Sequence, residues 1–301
     1  MRSFLLLLLV LLPAHALAFA AYPGFTLSNM PRWSATPVQG AGLHDGIQVG
    51  IAPGFAASFG LTDPAEIAAF DAALVQSFRV WETPDLHFDI QFDAAPGREI
   101  DVFSATSQDP IFQGNVSTGF SFLDQWFITG VTLTSGAVIT GPAIVKSSIV
   151  VATDRFNILF SLLLGGGLAT PADYTNRLIN LMAHEIGHSL GLGHPNESTS
   201  WDDDGDPLSV YQPADPLNPV AGLVATAQLD SFAMMWGGQR PDFLRTDLRP
   251  DDLSGRNALY PTVPEPGLLL LLAAAAAASR KGSLRPQPSQ APMAENPPAL
   301  S

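Results

Sequence analysis

Eleven residues constrain this chain more than any other stretch: His184-Glu185-Ile186-Gly187-His188-Ser189-Leu190-Gly191-Leu192-Gly193-His194. Four residues make slightly more than one α-helical turn, so on a helix His184 and His188 project from one face. Gly191 can adopt the positive φ that ends a helix. The chain can then turn back and deliver His194 beside the other two. Three imidazoles sharing a tetrahedral metal leave one position open for water, which marks a catalytic zinc rather than a closed structural one. Glu185 sits next to the first ligand and cannot comfortably join the set. Its carboxylate can instead reach a metal-bound water as general base.

The flanking sequence supports a helix at this place. Thr170-Pro171-Ala172-Asp173 offers an N-cap acceptor, proline at the first helical position and an acidic third residue. Ile179, Met182, Ala183, Ile186 and Leu190 then recur at helical spacing and predict its core face. Asp63-Pro64-Ala65-Glu66 opens an earlier helix by the same chemistry, with Ile67, Phe70, Leu74, Phe78 and Trp81 as its buried stripe. Between the helices, Leu86, Phe88, Ile90 and Phe92 alternate with polar residues, the pattern of a strand with one wet face. Further strands are expected at Glu99–Ala105 and within Ala137–Thr153. Helix, sheet and helix in that order predict an α+β domain.

Composition narrows the function. The 301 residues carry a formal charge of −14, with 14 Lys and Arg against 28 Asp and Glu. Phosphate binding needs clustered basic residues, so a nucleic-acid partner is not expected. There is no cysteine, which excludes disulfides, thiolate metal sites and a cysteine nucleophile.

Both ends look like addressing segments. Arg2, the apolar run Phe4–Leu12 and the small residues Ala16, Ala18 and Ala20 form a secretory signal peptide pattern over 1–18. Near the other end, Val263-Pro264-Glu265-Pro266 precedes the apolar block Leu268–Ala278, and Arg280-Lys281 follows it. This resembles the PEP-CTERM sorting signal of Gram-negative bacteria, here 263–281. The resemblance implies an exosortase-like processing enzyme as a partner, transient membrane association through this segment, and delivery to the cell surface or extracellular matrix. Residues 282–301 are polar and proline-rich, a disordered tail by composition. The remaining 19–262 is one catalytic-sized domain.

The extended histidine motif resembles that of the metzincins, zinc endopeptidases that also carry a methionine turn downstream. Ser231-Phe232-Ala233-Met234-Met235-Trp236 is similar to the turn of the matrixin branch, and Met235 is the residue expected beneath the zinc. Arg249-Pro250-Asp251-Asp252-Leu253-Ser254-Gly255, running to Ala258-Leu259-Tyr260, looks like the matrixin C-terminal helix. The resemblance covers roughly 60–262. It implies a metzincin-like α+β domain with a mixed twisted sheet, an active-site helix and a C-terminal helix. It further implies a secreted endopeptidase acting on protein or peptide substrates. Latency through a cysteine switch is impossible without cysteine. The competing expectation is a non-catalytic surface or biofilm-matrix protein with a structural zinc.

Asp202-Asp203-Asp204-Gly205-Asp206 lies between His194 and the methionines. Oxygen ligands on alternate residues around a glycine suit a short calcium loop, with Asp202, Asp204 and Asp206 as candidate Ca²⁺ ligands. The same run reads equally as a solvated acidic turn.

Overall fold

The structure is a computed structural model that describes residues 20–21, 30–112, 117–163, 170–194, 210–213, 223–226, 234–235 and 245–260. The signal peptide 1–18, the acidic run 202–206, the sorting signal 263–281 and the tail 282–301 lie outside the described residues.

The chain enters its main sheet at β2 (Ile47–Ile51), whose residues are buried apart from Gln48, and then forms a short helix α1 (Phe55–Ser58). A two-residue strand β1 (Ala20–Ala21) precedes them. Helix α2 (Pro64–Arg79) starts where the sequence predicts. The Asp63 carboxylate accepts hydrogen bonds from the Ala65 and Glu66 amides, and proline occupies the first turn. Phe70, Leu74 and Phe78 point into the core, and Trp81 follows them just past the helix end. Each such apolar side chain contributes about 1.5–3 kcal/mol by leaving water.

Strands β3 (Phe88–Gln91) and β4 (Ile100–Ala105) come next, followed by a long hairpin of β5 (Gly119–Thr132) and β6 (Val138–Ala152). The strand order is β3-β2-β4-β6-β5. β2 pairs in parallel with both β3 and β4, β4 pairs in parallel with β6, and β5 alone runs antiparallel, at one edge. Helix α3 (Thr153–Leu163) leads away from β6, and α4 (Pro171–Ser189) packs against α2. A two-residue strand β7 (Leu192–Gly193) pairs antiparallel with β1. The hairpin β8 (Val210–Pro213) and β9 (Leu223–Thr226) forms a separate small sheet, and α5 (Pro250–Leu259) is the last helix among the described residues.

The expected metzincin-like α+β domain is corrected by this topology. Four of the five strands are mutually parallel, with α1 and α2 forming the crossover between β2 and β3. The sequence reading started the sheet after α2 because it passed over Ile47–Ile51. That strand carries Gly50 in its interior, and it is buried on both faces, so the polar alternation that marks a half-exposed strand is weak.

One core lies between the sheet and the pair α2 and α4. It joins Ile47, Val49 and Ile51 of β2 and Ile100 and Val102 of β4 to Phe70, Leu74 and Phe78 of α2 and Met182, Ile186 and Leu190 of α4. A smaller cluster around Phe112, Val150 and Ala152 fills the other face of the sheet. The core's role for the site is to fix α4, which it grips along its whole apolar side.

Candidate metal centre

Helix α4 carries the first part of the centre. Thr170 caps its start through a reciprocal capping box with Asp173, in which the Thr170 hydroxyl and amide both donate to the Asp173 carboxylate. Those bonds hold the Asp173 carboxyl below the usual carboxylate range. Two turns from its far end, the helix presents His184 and His188 on one face, as their spacing requires. Leu190 closes the helix, and Gly191 takes φ +102°, reversing the chain so that His194 returns to the pair.

The three imidazoles converge. His194 Nε2 lies 2.9 Å from His188 Nε2 and 2.9 Å from His184 Nε2. The remaining ring nitrogens of the two helical histidines are tied to carbonyls: His184 Nδ1 to Met234 O at 2.6 Å, and His188 Nδ1 to Leu192 O at 2.7 Å. A carbonyl only accepts, so each Nδ1 carries the proton and each Nε2 is left as a lone pair. Burial, reinforced by the neighbouring His194, pushes the His188 pKa down to about 3, so this ring is neutral. Lone pairs converging at such distances repel unless a cation sits among them. The donor set therefore fits a metal that accepts nitrogen ligands, and the Nδ1–H···O=C bonds are the outer partners that orient metal-binding histidines. Among the described residues this is the one cluster of three or more His, Asp or Glu groups close enough to share an ion.

Glu185 is buried beside the triad. The edge strand passes directly over it: a Cβ on Gly119 would lie 3.5 Å from Glu185 Oε1. Hydroxyls join the helix to the β5–β6 hairpin, since Ser189 Oγ meets Ser121 Oγ of β5 at 2.7 Å and Ser147 Oγ of β6 at 3.0 Å. The carboxylate thus lies against β5 at Gly119.

Met234 and Met235 are both buried and divide their tasks. Met234 supplies the carbonyl that orients His184. The Met235 sulfur rests against Gly187, where any Cβ would overlap it, and Trp81 crowds the same spot at 2.9 Å from that Cβ position. The methionine pair is held by a residue whose part the sequence reading missed. Asp252, on α5 and buried, accepts from the Met234 amide at 2.7 Å, the Met235 amide at 2.9 Å and the Arg249 amide at 2.8 Å. The sequence reading assigned Arg249–Gly255 to a helix, but nothing in that run shows that one of its carboxylates reaches back to the methionines. Trp81 is a second missed support: its Nε1–H donates to Ala183 O at 2.8 Å, tying α2 to the residue before His184.

The structure thus brings His184, Glu185, His188, His194 and Met235 into one place. The candidate calcium ligands Asp202, Asp204 and Asp206 lie outside the described residues.

No protein-family model matches the chain, and no curated protein matches it. Among solved structures 41 chains match. One of them is described as the "GM1 bound form of the ECX AB5 holotoxin", with 16% identity over 81% of this chain and 87% of that chain, at a TM-score of 0.40. That neighbour is described as a toxin. A likeness this distant says nothing of what this chain does.

Proposed function

We propose that the chain is a zinc-dependent endopeptidase. The observation that carries this reading is the convergence of three histidine Nε2 atoms next to a buried glutamate that is not part of the donor set. His184, His188 and His194 would hold the metal, which when bound supplies a Lewis acid that polarises a peptide carbonyl and acidifies a water. Glu185 takes the proton of the attacking water and returns it to the leaving amine. Burial beside Gly119 keeps this carboxylate from swinging into solvent. His184 and His188 stay oriented through their Nδ1 protons on Met234 O and Leu192 O.

The addressing segments extend the proposal. A signal peptide would export the protein, and the Pro264-Glu265-Pro266 segment with its apolar block would route it through an exosortase-like enzyme to the cell surface or matrix. Asp202, Asp204 and Asp206 would bind Ca²⁺ in that setting.

The test is Glu185→Ala in the purified protein, assayed on denatured casein with zinc content measured alongside. Zinc should stay bound, because Glu185 is not a ligand, while cleavage falls by at least ~10²-fold, the scale for losing a general base. Equal cleavage by parent and variant, or no cleavage by the zinc-loaded parent, overturns the reading.

A further inference from the structure

Two of the three histidines are positioned by helix geometry, but His194 is not. It lies beyond the end of α4, so its place depends on the turn Leu190–Gly193. The last carbonyls of a helix have no partners within it, and here they are captured by side chains from distant parts of the chain. Trp33 Nε1–H donates to Ser189 O at 3.0 Å, and the Tyr260 hydroxyl donates to Leu190 O at 2.8 Å. The same hydroxyl accepts from the Trp33 backbone N–H at 3.1 Å, closing a ring of hydrogen bonds through both residues. Both side chains are about 1% exposed, so water does not compete for these bonds. On the other side of the turn, Gly191 lies so close to Pro31 O that no Cβ fits.

We infer that Tyr260, acting with Trp33, is a positioning residue for the third metal ligand. The inference rests on the zinc reading of the triad and adds to it the device that sets His194. The turn serves the centre twice, because Leu192 O also fixes the His188 ring through Nδ1. A shift of Leu190 therefore disturbs two ligands. Burial raises the Tyr260 pKa, which keeps its O–H a donor at neutral pH.

The experiment uses full-length protein and zinc alone as probe, with affinity read by competition against a chromogenic chelator. Tyr260→Phe keeps the ring and removes the hydroxyl. Zinc affinity should fall about tenfold or more, the range for outer partners of metal ligands. Trp33→Phe, which removes Nε1–H, should move affinity in the same direction. Ser77→Ala is the control: it deletes another buried hydroxyl, bonded to Leu74 O at 2.6 Å on α2, and should leave zinc affinity unchanged. A merely structural role would lower the metal-free melting temperature in all three variants and zinc affinity in none. Parent-like zinc affinity in both Tyr260→Phe and Trp33→Phe overturns the inference and leaves the zinc reading intact. A parent that binds no zinc overturns both. If Tyr260→Phe does not fold, the comparison of Trp33→Phe with Ser77→Ala decides.

Discussion

The two ends of α4 are built on opposite plans. Its start is closed by neighbours: Thr170, Pro171 and Asp173 lie within one turn and would cap a helix in almost any context. Its end is closed by strangers, with Trp33, Pro31 and Tyr260 arriving from either side of the fold and Met235 pressing on the last turns. The local end only begins a helix. The remote end holds the three histidines of the candidate metal centre, so their arrangement depends on the assembled tertiary structure rather than on the helix that displays them.

The strongest way to break that contrast is Gly187→Ala. On propensity alone the change favours the helix by about 1 kcal/mol. The new Cβ would overlap the Met235 sulfur and crowd Trp81. Overpacking of this kind costs about 1–3 kcal/mol, so the variant should melt lower and lose zinc. Thermal unfolding with zinc analysis checks both, and a variant more stable than the parent would show that the remote end is not packed as described.

Acid should separate the ends. Protons compete with zinc for all three imidazole nitrogens, so metal should leave as pH falls. The capping box behaves otherwise. The Asp173 pKa is lowered by the Thr170 hydroxyl and amide from its ordinary 3.8. A depressed carboxyl stabilises the fold above its unfolded pKa, and that stabilisation is lost only as pH falls through the lower, folded value. Zinc release, followed with an indicator dye, should thus precede any loss of helical circular dichroism at the cap. Coincident transitions would mean that the two ends are one unit.

The smallest effect sharpens the comparison. Thr170→Ala should cost about 1 kcal/mol, the usual value of an N-cap. Chelator competition should find its zinc affinity unchanged, since nothing at Thr170 touches the triad. A weakened metal site would contradict the independence of the two ends.

The sequence was readable wherever the cause is local. Asp63 and Thr170 announce their helices, and the spacing of His184, Glu185 and His188 puts their side chains where the structure has them. Gly191 with its positive φ was legible for the same reason. The topology was not, because β2 and the first half of the hairpin lack clean alternation, and parallel pairing joins segments far apart in the chain. Asp252 was also hidden in its role. A carboxylate that binds backbone amides 17 and 18 residues away leaves no side-chain pattern to detect. The sequence pattern gives Tyr260 only as the end of the C-terminal helix and singles out nothing at Trp33. Only the fold shows that their polar atoms face the end of α4.

Gly187 has a consequence for the order in which the protein comes into being. A glycine in the last turns of α4 leaves that segment weak by itself, so its final shape waits for Met235 to fill the gap. Synthesis runs from residue 1 upward, so the three histidines emerge before Met235, and Met235 before Asp252 and Tyr260. A chain stopped short of residue 252 has all three histidines of the candidate centre but no carboxylate to order the methionines and no phenol to set the turn. The parts that bind are made first and the parts that organise them last, so a half-made chain cannot hold a finished centre.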